Sequence, residues 1–320
     1  MGVTFLSPEA ALVGLAVALP LLSLSRAESR ARVARAVLGL PVPLGRGWPY
    51  VAAIAAFAGF VALGAAQPVI ENERPRTVRS DAEAFFVFDT SGSMQAARAP
   101  GAATRFERAR RLGRRMRSEL PELRVGVASL TDRLLPHLFP TGNNHSFQAT
   151  LGRSIGVERP ASIQRGNALA SSLDAFIGLR RAQFFAPGTK QRLLVVFTDA
   201  ESRRFNAARL RRSFRRSGIV TVLVRVGSAG DRVFVNGVAD PAYRPPQGAD
   251  ASAETFAEAV GGRAFDEDEV DDAIATARGA LGGEGPRTET TEVEPTPLAA
   301  YAFGAAFLPL AFLLWRRNVR

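Results

Sequence analysis

Three long apolar stretches constrain this chain more than any other feature of its sequence. They cover residues 5–24, 48–66 and 297–315, and each approaches the roughly 20 apolar residues that a helix needs to cross a membrane. A cleaved signal peptide would carry basic residues before its apolar run, and residues 1–5 carry none. Residues 52–57 of the second stretch show no polar face, unlike a helix at the surface of a core. We therefore predict three membrane-spanning helices.

The basic residues predict how these spans are oriented. They follow the first and third stretches, at Arg26, Arg30, Arg32 and Arg35 within residues 25–47, and at Arg316, Arg317 and Arg320 within residues 316–320. Because cytoplasmic loops carry an excess of arginine and lysine, both segments are expected in the cytoplasm. The first span, within residues 1–24, then runs inward, the second outward and the third inward again. Residues 67–296 are expected outside the cytoplasmic membrane.

The composition excludes several classes of site. The formal net charge is +11, but the arginines show no interleaving with aromatic residues of the kind that stacks bases, so we expect no nucleic-acid partner. We interpret residues 108–117 and 203–216 as solvated helix faces. The chain contains no cysteine, which excludes disulfides, thiolate metal sites and cysteine nucleophiles.

Between the apolar stretches, short apolar runs alternate with amphipathic helical patterns. The predicted strands are residues 84–88, 124–130, 134–139, 192–197, 219–226 and 263–265. The predicted helices are residues 104–120, 147–155, 166–179, 203–217, 253–260 and 267–280. This alternation predicts a doubly wound α/β domain over residues 83–281, with a mostly parallel sheet between two layers of helices. Residues 67–82 and 282–296 are predicted to be a stalk and a linker.

The candidate chemistry follows two of these strands. The first is followed by Asp89-Thr90-Ser91-Gly92-Ser93, and a later one ends at Asp199. In a doubly wound fold, loops at the carboxyl ends of central strands form the ligand site. Carboxylates and hydroxyls are hard oxygen donors, which suit Mg²⁺ or Mn²⁺.

This pattern resembles the metal-ion-dependent adhesion site of von Willebrand factor A domains. Asp89, Ser91 and Ser93 match the family's Asp-x-Ser-x-Ser loop, and Asp199 matches its later aspartate. Asn167 stands where the family usually has a threonine, and its amide oxygen is also able to coordinate a hard cation. The resemblance implies a non-enzymatic domain that holds Mg²⁺ or Mn²⁺ with Asp89, Ser91, Ser93, Asn167 and Asp199. It further implies that an acidic side chain of a partner protein completes the coordination.

The order of segments along the chain resembles that of one particular group of proteins with such a domain. The layout resembles that of the bacterial aerotolerance-operon (Bat) membrane proteins. It consists of an amino-terminal span with Phe5-Leu6-Ser7-Pro8, a basic loop, a second span, an outward domain and a final span. That layout implies location in a bacterial cytoplasmic membrane and a role in assembling envelope or membrane complexes. It also implies a functional link to a MoxR-type ATPase.

Two other functions remain open at this stage. One is a metal-free structural subunit of a membrane complex, which the replacement of threonine by Asn167 favours. The other is a phosphatase of the haloacid dehalogenase type, with Asp89 as nucleophile. Such an enzyme needs a general acid two residues further on, where this chain has Ser91. We therefore expect no catalytic activity.

Overall fold

The computed structural model describes residues 2–40, 48–159, 161, 171–179, 183–246 and 248–318 of the chain. The strands are β1 (Gly2–Phe5), β2 (Pro68–Arg79), β3 (Ala82–Asp89), β4 (Arg124–Leu130), β5 (Leu134–Thr141), β6 (Gln191–Thr198), β7 (Ile219–Arg225), β8 (Phe234–Val235), β9 (Val238–Ala239), β10 (Arg263–Asp266) and β11 (Arg287–Pro297). The α-helices are α1 (Ala18–Val37), α2 (Trp48–Ala65), α3 (Arg105–Glu119), α4 (Asn144–Ala149), α5 (Ala207–Phe214), α6 (Ala249–Val260), α7 (Val270–Ala280) and α8 (Ala299–Asn318). Turns of 3-10 helix cover Pro8–Val17, Gly92–Gln95 and Leu173–Gly178. The chain forms two compact units: a terminal unit, Met1–Arg74 with Val293–Arg320, and a central unit, Pro75–Glu292.

The terminal unit contains two helices that are long and apolar enough to cross a membrane, α2 and α8. They pack against each other, and at Gly64 of α2 an added Cβ would lie 2.8 Å from the ring of Phe303 on α8. Small residues of this kind allow two helices to approach closely. At the other end of α2, the guanidinium of Arg316 lies 4.9 Å from the centre of the Tyr50 ring.

The prediction of three spanning helices is wrong for the described residues. The first apolar stretch is divided between β1, the 3-10 helix Pro8–Val17 and the start of α1. The later part of α1 carries arginines at positions 26, 30, 32 and 35, so no apolar helix of sufficient length forms there. Apolar content alone had predicted a span, but the run is interrupted by Pro8 and Pro20 and ends among charges.

The segments predicted to be a stalk and a linker contain long strands. β2 and β11 are neighbours in a three-stranded sheet of order β1-β2-β11. In the central unit, Arg76 of β2 forms a 3.0 Å ion pair with Glu292 of β11, and the hydroxyl of Thr290 donates to the carbonyl of Arg76. Charged and β-branched residues fit a strand whose faces are partly solvated, which composition does not distinguish from a polar linker.

The central unit is built on a six-stranded sheet of order β10-β7-β6-β3-β4-β5. All neighbouring pairs are parallel except β4 and β5, which are antiparallel and contain a register irregularity. Every residue of β3 is buried, as expected for a central strand covered on both faces. The predicted α/β class with a mostly parallel sheet is confirmed.

Helices cover both faces of this sheet. Side chains alternate along β3, so that Phe86 and Phe88 enter one apolar core and Phe85 and Val87 enter the other. The first core includes residues of α3, α4 and α7, and the second includes residues of α5, α6 and the 3-10 helix Leu173–Gly178. The carboxyl ends of the parallel strands lie between these two layers.

Candidate metal site

Two neighbouring strands bring the predicted site residues together. β3 and β6 run parallel, with Phe88 opposite Phe197 in the register, and the two rings stack with their centroids 4.8 Å apart. The residues that follow, Asp89 on one strand and Thr198 on the other, therefore reach the same edge of the sheet. The hydroxyl of Thr198 donates a 2.6 Å hydrogen bond to Oδ2 of Asp89.

The loop after β3 folds back on Asp89. The backbone N–H of Ser91 donates to Oδ1 of Asp89 at 3.0 Å, and the Ser91 hydroxyl donates to the same oxygen at 2.7 Å. The hydroxyls of Ser91 and Ser93 are 3.1 Å apart. Asp89, Ser91 and Ser93 are all buried. One carboxylate and two hydroxyls thus converge at the edge of the sheet, as the sequence predicted.

Burial shifts the pKa of the Asp89 carboxyl group away from its ordinary value. Removal from water and, second, the negative charge of Asp199 raise the pKa of Asp89 to about 7. The hydrogen bonds from Thr198 and Ser91 act in the opposite direction and are outweighed. Asp199 therefore lies near enough for its charge to act on Asp89.

Asp199 is held by a buried arginine. Its Oδ1 accepts the backbone N–H of Glu201 at 3.0 Å, and its Oδ2 lies 3.0 Å from Nη1 of Arg105. The same Nη1 contacts Glu201 at 2.6 Å and the hydroxyl of Tyr243 at 2.9 Å, while Nε contacts Asp231 at 3.0 Å. We call Arg105, Asp199, Glu201, Asp231 and Tyr243 the Arg105 cluster. Burial lowers the pKa of Arg105, but the neighbouring carboxylates outweigh this and the net pKa is raised.

A second arginine of α3 borders this cluster. Nη2 of Arg108 lies 2.6 Å from Oδ2 of Asp231. Burial raises the pKa of Asp231, but the hydrogen bonds from Arg105 and Arg108 outweigh it, and the net pKa is lowered. Arg105, Arg108 and Arg117 are all buried. The interpretation of residues 108–117 as a solvated face is therefore wrong for Arg108 and Arg117.

The charges at this edge do not balance. Among the described residues at this edge, the buried groups that carry a charge are four acids and two arginines: Asp89, Asp199, Glu201, Asp231, Arg105 and Arg108. Glu267 also approaches Arg108, but it is paired with the exposed Arg98 at 2.5 Å. With all six groups ionised, an excess of two negative charges remains, equal to the charge of one divalent cation.

The donor set fits a hard divalent cation of the adhesion-site type. The side chains at this edge offer carboxylate and hydroxyl oxygens, which Mg²⁺ and Mn²⁺ favour. Within the described ranges there is no group of three or more His, Asp or Glu side chains arranged to hold a metal. A site built from Asp89, Ser91, Ser93 and Asp199 has only two acids and relies on hydroxyls. Asn167 lies outside the described residues.

Sequence reasoning missed Thr198 and, apart from Asp199, the whole Arg105 cluster. Thr198 directly precedes the predicted ligand Asp199, and its position at the end of β6 was the available signal. Arg105 is the first residue of α3, and its side chain contacts residues 94 to 138 positions away in the sequence. No local pattern marks such a contact.

Comparisons with known proteins find solved structures that superpose on this chain. No protein-family model and no curated protein matches the sequence. An aerotolerance-related membrane protein from Bacteroides fragilis superposes with a TM-score of 0.50 at 23% identity, covering 62% of this chain and 98% of that one. The protein BatB from Bacteroides thetaiotaomicron superposes with a TM-score of 0.50 at 21% identity, covering 62% of this chain and 99% of that one. A von Willebrand factor type A protein from Catenulispora acidiphila matches with a TM-score of 0.40 at 12% identity, covering 68% and 51% of the two chains.

The two Bacteroides structures are matched over nearly their whole length, at identities that show the fold alone. They confirm the resemblance drawn from Asp89, Ser91, Ser93 and Asp199 at the level of architecture. The central unit has the von Willebrand factor A-like α/β fold of the Bat-type proteins.

Proposed function

We propose that this chain is a membrane-anchored protein whose central unit binds a partner protein through a divalent cation, Mg²⁺ or Mn²⁺. The cation is held by Asp89, Ser91, Ser93, Asn167 and Asp199. The observation that carries the proposal is the excess of two negative charges among the buried groups that the structure describes at the edge where two neighbouring strands deliver hard oxygen donors. An isolated buried charge is costly unless it is compensated, and a divalent cation compensates this one.

The bound cation supplies an open coordination position for an acidic side chain of the partner. The protein's own residues orient the donors: Thr198 fixes one oxygen of Asp89 and Ser91 fixes the other. Beside Asp199 a cavity of about 230 Å³ opens, lined in part by Glu201, Ser228 and Pro245. A partner residue next to the acidic one has room there.

We further propose that α2 and α8 anchor the chain in a bacterial cytoplasmic membrane, with the central unit on the extracytoplasmic side. Basic residues lie on α1, before α2, and at the end of α8, at Arg316 and Arg317. The positive-inside rule assigns both regions to the cytoplasm. The likeness to a protein described as an aerotolerance-related membrane protein supports this assignment. A role in assembling envelope or membrane complexes, linked to a MoxR-type ATPase, belongs to the same proposal.

The metal site is tested by calorimetric titration of Mg²⁺ and Mn²⁺ into the full chain in detergent. We expect saturable binding at one site, lost in Asp89→Ala and retained in Asp272→Ala, which removes an exposed aspartate of α7. Absence of binding by the unaltered chain would refute the metal site and favour the metal-free scaffold.

The partner bridge needs a separate experiment. Proteins captured by the full chain are compared with and without a chelator, using Asp89→Ala as a second negative control. Capture that depends on the cation in the unaltered chain supports the bridge. Equal capture under both conditions rules it out, even if the cation binds.

A further inference from the structure

We propose that Arg105 is the positioning residue of the metal site, setting cation affinity by fixing the orientation of Asp199. This inference rests on the proposed function and adds a residue to it. Arg105 belongs to α3, outside the three segments that supply the predicted ligands. Its effect on the cation is therefore indirect, through the carboxylate it holds.

The guanidinium of Arg105 is itself immobilised. Its side chain is 3% exposed, and all three of its nitrogens have acceptors. One of these acceptors is the carbonyl of Ser228, 3.2 Å from Nη2. Gly227 adopts a φ of +130°, and a Cβ at that position would lie 2.5 Å from Nε of Arg105. The loop after β7 thus closes over the guanidinium, and a rigid planar fork is able to hold several acceptors at once.

Asp199 in turn has both carboxylate oxygens fixed. Oδ1 accepts from the backbone of Glu201 and Oδ2 from Arg105. An ionised carboxylate has about four lone-pair positions, so these two contacts orient the group and leave acceptor capacity for a further ligand. Without Arg105, the backbone N–H of Glu201 would be the only contact from the described part of the chain that restricts the rotation of Asp199.

The positive charge of Arg105 does not neutralise the negative charge of the proposed metal site. Asp231 and Glu201 each contact Arg105 within 3.0 Å and compensate its charge. The contact with Asp199 therefore combines two effects, the strongest charge attraction that raises the pKa of Arg105 and a fixed geometry. This distinction makes a charge-conserving substitution informative, since Arg105→Lys keeps one positive charge and loses the fork.

Arg108 provides a matched control. It lies three residues further along α3, is buried, and pairs with the same Asp231, but it contacts neither Asp199 nor Glu201. Arg108→Lys disturbs the same ion network through Asp231 and leaves the contact with Asp199 in place. A role in general stability would appear in both variants, and a positioning role only in Arg105→Lys.

The experiment measures Mn²⁺ binding to the full chain in detergent by electron paramagnetic resonance, which counts free Mn²⁺ directly. For groups that orient a metal ligand, loss of the contact weakens binding about tenfold or more, and we expect that loss in Arg105→Lys. Arg108→Lys should stay within about twofold of the unaltered chain. The line shape of bound Mn²⁺ should also change in Arg105→Lys and not in Arg108→Lys.

Four outcomes decide the matter. No Mn²⁺ binding by the unaltered chain refutes the metal site itself and with it this role. Binding by the unaltered chain and equal binding by Arg105→Lys overturns the role of Arg105 alone. Equal losses in both lysine variants overturn it as well, in favour of general loosening. If Arg105→Lys does not fold, Asp231→Asn, which removes one anchor of Arg105 and leaves Asp199 untouched, must weaken Mn²⁺ binding for the proposal to stand.

Discussion

At the scale of residues, Asp89 offers the same two oxygens to a proton and to the proposed cation. Its burial and the charge of Asp199 raise its pKa to about 7, so protons compete with a cation near neutral pH. In the unfolded chain the carboxyl ionises near pH 4. The raised pKa therefore contributes stability that is fully present below about pH 4 and is lost as the pH rises through about 7. A bound cation offsets that loss.

This competition predicts a pH dependence of metal binding. Because the ionised carboxylate binds the cation, Mg²⁺ should raise the thermal unfolding temperature more at about pH 8 than at about pH 6. Thermal unfolding of the full chain with and without Mg²⁺ at the two pH values measures the difference. Asp89→Asn, which does not titrate, should show no such difference. A larger effect of Mg²⁺ at the lower pH contradicts the assignment.

Position 167 gives a second prediction at this scale. If Asn167 is a ligand, Asn167→Thr restores the donor usual in the family and should raise Mg²⁺ affinity, whereas Asn167→Ala should lower it. Calorimetric titration of the unaltered chain and the two variants measures the Mg²⁺ affinity. We expect it to decrease from threonine through asparagine to alanine at position 167. Equal affinities would remove residue 167 from the ligand set.

The sequence predicted the residues of this site unevenly. Asp89, Ser91, Ser93 and Asp199 were predictable because each follows an apolar run, and the carboxyl ends of parallel strands share one edge. Arg105 was not, because its partners Asp199 and Asp231 lie far along the chain and meet it only after folding. An arginine on a helix has the same local sequence pattern whether it is solvated or buried.

At the scale of elements, the close packing of α3 on β3 links the helix layer to the site. An added Cβ at Gly113 would lie 2.5 Å from the ring of Phe88, the residue before Asp89. Phe88 in turn stacks on Phe197, the residue before Thr198. Space for these two rings therefore depends on the absence of a side chain at position 113.

This packing predicts opposite effects for two glycine substitutions. Gly113→Ala overpacks the core and should destabilise the chain by about 1–3 kcal/mol. Gly279→Ala, on an exposed position of α7 with nothing within 4 Å of the added Cβ, should stabilise it by about 0.5–1 kcal/mol through helix propensity. Thermal or denaturant unfolding measures both. Similar changes in the two variants would contradict the packing argument.

The elements themselves were predicted to different degrees. The six strands of the central sheet were located because buried runs such as residues 192–197 are distinctive. β4 has the predicted bounds, Arg124–Leu130. The helix predicted over residues 166–179 falls partly outside the described residues, and Leu173–Gly178 is a 3-10 helix. β2 and β11 were missed because their polar residues pair with each other, a partnership that no single segment reveals.

At the scale of the whole molecule, the described residues contain two helices that are long and apolar enough to cross a membrane, where hydropathy suggested three. Apolar length correctly predicted α2 and α8, but it also predicted a spanning helix in the first stretch. That stretch is interrupted by prolines and is followed directly by the arginines of α1. The proposed orientation depends on charge alone, and the absence of cysteine makes it directly measurable. Any introduced cysteine is then a unique label.

Two single-cysteine variants test the orientation. Ala208→Cys lies on an exposed position of α5 in the central unit, and Ala31→Cys lies on an exposed position of α1 among its arginines. A membrane-impermeant maleimide added to intact spheroplasts should label position 208 and should reach position 31 only after the membrane is disrupted. The reverse pattern contradicts the proposed orientation, as does labelling of both positions in intact spheroplasts.

The central unit begins and ends at one place. The chain enters it along β2 and leaves it along β11, and the ion pair of Arg76 with Glu292 joins the two strands. Domains whose ends lie side by side tolerate insertion into another chain. Residues 75–292 therefore form a segment that is suited to insertion as a whole between the two halves of a different anchor.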